Sequence, residues 1–150
     1  MKKLLYLVLV LGLFACSSDS KIHTFEYEIG DYYEEGGGII YSLQGGHGRV
    51  VTMQDIGTGN WYEAEDMAEN NTTGGYDDWE LPSIYDLQII YDTVGQGGGN
   101  IAGFEHSRYW SSTEASGWGN GYYAFDFGTG ESFIGLYGSA NARVRAVRSF

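Results

Sequence analysis

The closing stretch, residues 109–150, constrains the fold more than any other part of this sequence. It holds ten aromatic residues, seven glycines and six serines, with no lysine, proline or cysteine. Runs 123–127, 132–137 and 143–147 read as strands, rich in aromatic or β-branched residues and separated by glycine, serine and asparagine. Two uses of such a segment stay open. Tyr and Trp give large contact area at low conformational-entropy cost, and Ser, Gly and Asn give adaptable hydrogen bonding, which together suit a recognition surface. The same aromatics also suit an all-β core with glycine-rich turns. On the first reading residues 115–142 form the recognition face. Trp118 stands out there, because Gly117, Gly119, Asn120 and Gly121 leave it no regular element to bury it, and an exposed aromatic of this kind is a candidate hot spot.

The middle of the chain adds helices. Runs 38–43 and 48–53 flank Gly45-Gly46-His47-Gly48 and predict a hairpin with a slightly long loop. Residues 61–69 have helical spacing, with Trp61, Ala64 and Ala68 on one face. Ser83 is a good N-cap after Pro82, and Asp86 favours the positive start of a second helix. Leu87, Ile90, Tyr91 and Val94 form its apolar stripe, and the glycine run 95–99 ends it. The expected class is α+β, with two helices packed on a small antiparallel sheet and a strand-rich C-terminal half.

Several blocks carry a family resemblance. Trp61, Ala64, Gly74-Gly75-Tyr76, Asp78-Trp79-Glu80-Leu81-Pro82-Ser83, Leu87, Gly103-Phe104, Tyr109-Trp110-Ser111-Ser112-Thr113-Glu114 and Val144-Arg145-Ala146-Val147-Arg148 occur in order. Over residues 30–150 the chain resembles the C-terminal domain family of collagen-like bacterial adhesins, the Lcl C-terminal-like domains. That resemblance implies a C-type-lectin-like fold. Glu80 stands where the family usually has arginine, which bears against polyanion binding, and the helix after Trp61 lacks the family's frequent cysteine. The C-terminal layout also resembles the variable proteins of diversity-generating retroelements, in which adenine-containing codons near the end are randomised. That likeness implies a variable set of Ala115, Ser116, Trp118, Asn120, Tyr122, Tyr123, Asp126, Phe133, Tyr137, Ser139 and Asn141.

The other end indicates location. Met1-Lys2-Lys3 is a basic start, and residues 4–14 are an apolar run too short to span roughly 30 Å of hydrocarbon as a helix. These are the proportions of a secretory signal. Leu13-Phe14-Ala15-Cys16 resembles a lipobox, so residues 1–15 are expected to be a lipoprotein signal peptide and Cys16 the lipidated new N-terminus. Residues 16–29 then form a polar tether, and residues 30–150 the binding domain. Ser17 after the cysteine fits outer-membrane sorting in a Gram-negative cell. Cys16 is the only cysteine, so the domain is expected to hold together without disulfides.

Charge narrows the partners. Without Lys2 and Lys3, six basic residues face twenty acidic ones, a net charge of −14. Such a chain repels nucleic acid, anionic lipid and sulfated glycans. Arg143, Arg145 and Arg148 fall in one strand-like run, either as a basic strip or as structural partners for carboxylates. No catalytic constellation emerges: His23, His47 and His106 lack metal-ligand spacing, and the adjacent pairs Glu34-Glu35 and Asp77-Asp78 point apart in extended chain. The Glu-Pro-Asn and Gln-Pro-Asp triplets of calcium lectins are missing, although Asp77, Asp78, Asp126 and Glu131 could make an unconventional site. Trp61, Trp79 and Trp110 read as core.

The expectation is a non-enzymatic surface lipoprotein without cofactor or metal, anchored to the membrane through Cys16. Its domain would bind an extracellular protein or glycan, and no nucleic acid, through Trp118, Asn120, Tyr122, Tyr123, Asp126, Phe133, Tyr137, Ser139 and Asn141. Trp118, Tyr122 and Tyr137 are the first choices. The rival from another class is a structural envelope lipoprotein with no specific ligand.

Overall fold

The computed structural model describes residues 27–117, 121–137 and 139–150, with the side chains of 134–137 left aside. The order is β1 (Tyr32–Tyr33), β2 (Gly38–Gln44), β3 (His47–Val51), β4 (Gly57–Gly59), α1 (Trp61–Glu69), α2 (Ile84–Thr93), β5 (Arg108–Glu114), β6 (Gly121–Asp126), β7 (Glu131–Tyr137), β8 (Ala142–Val144) and β9 (Val147–Ser149). One sheet runs β1-β2-β3-β9 and the other β4-β8-β5-β6-β7. Among the named strand pairs only β5–β8 is parallel. The α+β class read from the sequence is the class observed.

Both helices begin where their side chains satisfy the first free backbone N–H groups. Asn60 and Glu63 make a reciprocal capping box on α1, and Ser83 and Asp86 make one on α2. The β2–β3 connection is tighter than expected: Gln44 pairs with His47, leaving only Gly45 and Gly46 in the turn. Both have positive φ, +58° and +92°, which L side chains adopt with strain and glycine does not.

The predicted strand 143–147 is two strands, and here the structure corrects the sequence reading. Ala142–Val144 joins the second sheet and Val147–Ser149 the first, with Arg145 and Ala146 at the crossing. Arg145 is 2% exposed. It donates to Asp55 Oδ1 at 2.6 Å and to the carbonyls of Thr52, Ala102 and Gly103. Its guanidinium also lies 4.3 Å from the centre of the Phe104 ring. A strand cannot continue straight while its middle residue turns inward to bind the backbone of two separate loops, so the run changes sheets at that point.

Two core clusters result. Trp61, Ala64 and Ala68 of α1 pack with Trp79, Trp110, Tyr122, Ala124 and Val144. Leu87 and Ile90 of α2 pack with Tyr41, Phe104, Tyr109, Phe125 and Phe127. Phe104 and Phe127 stack at 4.1 Å. Consecutive residues Ala124 and Phe125 enter different clusters, because a strand alternates its side chains and this sheet is covered on both faces. The three expected core tryptophans are all buried, and each indole N–H donates to a carbonyl: Trp61 to Ser111, Trp79 to Thr73 and Trp110 to Gly59.

Candidate functional site

The start of α2 is fixed to β5. Ile84 N donates to Thr113 Oγ1 at 3.0 Å, and Ser112 N donates to the Pro82 carbonyl at 2.8 Å. Asp86 holds the same turn from inside: Ser83 N and Oγ, Tyr41 Oη and Arg49 Nη1 all donate to its carboxylate. Burial, with Asp86 beside it, pushes the Tyr41 hydroxyl far above the usual phenol range. Leu87 and Ile90 are thereby turned into the core, which sends Tyr85 and Gln88 outward along the opposite flank.

The result is a groove of about 480 Å³ between the first turns of α2 and the sheet β5–β6–β7. Ile84, Tyr85 and Gln88 form the helical wall, and Thr113, Glu114, Ser116, Tyr123, Phe125 and Ser132 form the remainder. Its size lies within the usual range for ligand sites, roughly 300–1,000 Å³. Tyr85 is 79% exposed, the most exposed large apolar residue among those described. An aromatic ring left that open beside hydroxyls and an amide can stack on a ligand while the polar groups orient it.

A wider depression of about 760 Å³ lies at the β2–β3 turn, lined by Ser42, Gln44, Gly45, His47, Gly48, Arg49, Ser149 and Phe150. Its one cation, Arg49, is held by Asp86 and Glu80. It contains none of the residues expected to bind, so the α2 groove is the better candidate.

Of the eight aromatic side chains described in 109–150, five are buried: Tyr109, Trp110, Tyr122, Phe125 and Phe127. Tyr122 is the main correction among the expected contact residues. It is 7% exposed and stacks on Trp61 with ring centres 3.7 Å apart. Burial and the adjoining Tyr62 hydroxyl raise its pKa. It is a packing residue. Tyr123, its neighbour, is half-buried and lines the groove, as does Ser116. Asp126 forms an ion pair with Arg108 at 3.6 Å and accepts from Gly128 N in the β6–β7 turn. Phe133 lies under the same Arg108 guanidinium at 4.0 Å. Ser139 and Asn141 are exposed between β7 and β8. Tyr137 ends β7 opposite Gly121, and its side chain, like Trp118, Asn120 and Cys16, lies outside the described residues.

Tyr85 and Gln88 were missed by sequence reasoning. A signal existed, since an aromatic at 85 falls off the stripe of Leu87, Ile90, Tyr91 and Val94 and has no core to enter.

All five described arginines are in ion pairs: Arg49 with Glu80 and Asp86, Arg108 with Asp126, Arg143 and Arg145 with Asp55, and Arg148 with Asp78. The three C-terminal ones are therefore structural partners, not a basic strip. Thirteen of the eighteen acidic side chains among the described residues have no ion pair. Glu65 shows the effect locally: burial, with Glu69 and Glu114 nearby, raises its pKa. Among the described residues no three His, Cys, Asp or Glu side chains converge to hold a metal.

Two capped helices laid on mostly antiparallel sheets, with a C-terminal run that crosses between those sheets, define a C-type-lectin-like domain. The chain belongs to the Lcl C-terminal domain family, whose model matches residues 42–148. Membership is consistent with an adhesin-type domain. No curated protein matches the chain.

Proposed function

We propose that this chain is a lipid-anchored surface protein whose lectin-like domain captures an extracellular ligand, protein or glycan, in the groove between α2 and β5–β7. The observation that carries this reading is Tyr85, 79% exposed on a helix whose start is bonded to the same sheet that presents Tyr123 and Ser132. A side chain so apolar and so open gains from covering it, and a built groove beside it limits what can do so. The net charge directs the groove away from polyanions. The basic start, the apolar run and Ala15-Cys16 support secretion with attachment at the outer membrane or cell surface. Among the described residues no helix is long and apolar enough to cross a membrane.

The test is capture by the full chain and by Tyr85→Ala and Tyr123→Ala, using a glycan array and a surface pull-down, with thermal melts as the fold control. Loss of a groove aromatic is expected to weaken capture by about tenfold or more, the cost of a hot spot, with little change in melting temperature. Undiminished capture by both variants would point to a ligand held elsewhere, and no capture by the full chain would favour the structural lipoprotein without a ligand.

A further inference from the structure

The outer edge of β7 is the second open feature at this site. In the order β4-β8-β5-β6-β7 it has no partner strand among the described residues. A terminal strand turns alternate N–H and C=O groups outward, a template for another backbone. Sheets usually guard such an edge by shortness, lysine or proline. β1 has two residues and β4 and β9 three each, so those are short. β7 has seven, contains neither lysine nor proline, and carries one charge, Glu131, at its turn end.

The groove adjoins this edge. Ser132 of β7 pairs directly with Phe125 of β6, so the two share the face that α2 covers, and both line the groove. A chain laid outside β7 would place every second side chain on that face, next to Ser132 and towards Tyr85 and Tyr123. We propose that the ligand is an extended polypeptide segment, neutral or basic, taken up as an added strand on β7 with alternate side chains entering the groove. The inference rests on the groove as binding site and narrows its ligand class. Only another peptide backbone repeats donors and acceptors at the strand spacing, about 3.4 Å per residue. The unpaired carboxylates, with no unpaired cation among the described residues, disfavour an acidic segment. A second copy of this chain brings the same negative charge and is disfavoured on the same ground.

The test selects random linear heptapeptides, displayed on phage, on the full chain, then resynthesises a binder with one backbone N-methyl group at a time. Strand addition predicts that methylation at every second amide weakens binding by about tenfold while intervening positions change it by less than about twofold. Bound peptide should also slow hydrogen exchange at the β7 amides. A methyl scan without alternation, protection confined to another element, a selection that yields no binder, or a dimer held through β7 would each overturn the proposal. The two readings separate. If Tyr85→Ala and Tyr123→Ala lose their ligand while β7 exchange is unchanged, the groove stands and strand addition falls. Alternation with β7 protection that both variants retain would keep strand addition and remove the groove.

Discussion

Replacing Arg145 with alanine should destabilise the domain more than any other single arginine change. The side chain is 2% exposed and holds Asp55 together with three carbonyls, those of Thr52, Ala102 and Gly103. Breaking a buried, hydrogen-bonded charge pair costs about 3–5 kcal/mol. Asp55 keeps Arg143 at 2.6 Å and the Tyr109 hydroxyl at 3.3 Å, which moderates the loss. The carbonyls keep nothing from this side chain, and each buried acceptor left unmade adds about 1 kcal/mol or more. The estimate is therefore about 3–5 kcal/mol, a large part of a typical domain stability of about 5–15 kcal/mol. At about 2.1 cal/mol/K of unfolding entropy per residue, a domain of this size loses roughly 4 °C per kcal/mol, so Tm should fall by about 12–20 °C. Arg143→Ala is the internal control. It removes a partner from the same Asp55, but its side chain is 38% exposed, and a pair of that exposure contributes about 0–1 kcal/mol. Arg145→Lys should behave nearly as alanine does, because one ammonium cannot replace a planar fork that reaches four acceptors. Thermal melts and urea titrations followed by near-ultraviolet circular dichroism measure all three. If Arg145→Ala lies within about 1 kcal/mol of the parent, or Arg143→Ala costs as much, the clamp is not what holds the crossing together.

Three other predictions concern separate parts of the chain. Tyr122→Ala should cost about 3–5 kcal/mol as a core deletion and Tyr122→Phe under about 1 kcal/mol, and a stable Tyr122→Ala that loses only ligand would return Tyr122 to the binding face. The hydrogen bonds from Arg148 hold Asp78 below its ordinary pKa. Its stabilisation is therefore present above an unfolded value of about 3.9 and is lost as pH falls through the folded value. Asp78→Asn should flatten that acid limb in melts taken from neutral pH downward, and an unchanged limb would refute the linkage. Cys16→Ser should move the protein from the membrane fraction to the soluble fraction of cells, and continued detergent-dependent partition would argue against the acyl anchor.

Parts of this fold were legible because they depend on local chemistry. Ser83 and Asp86 mark the start of α2, since a capping box needs only residues three apart, and the stripe of Leu87, Ile90 and Val94 needs only helical period. The three tryptophans were placed correctly because each sits in a block whose neighbours build regular structure. β4 and β1 were not read, being three and two residues long, too short for any period to register. β5 was seen as a motif without its conformation.

The site divides in the same way. That the segment after Tyr109 supplies strands, tight turns and the material of a surface is fixed by its own residues, and the acidity of the chain is fixed by its composition. Which tyrosine faces outward is not. Tyr122 and Tyr123 are adjacent and chemically identical, and only the helices on each side of the sheet decide that the first stacks on Trp61 while the second enters the groove. Tyr85 is 38 residues from Tyr123 in sequence, and they meet because Thr113 fixes the start of α2 to β5. Likewise Val144 and Val147 look like one strand until Arg145 is seen to bind two distant backbone segments. Burial and long-range hydrogen bonding act on residues far apart in the chain, so no local pattern encodes them.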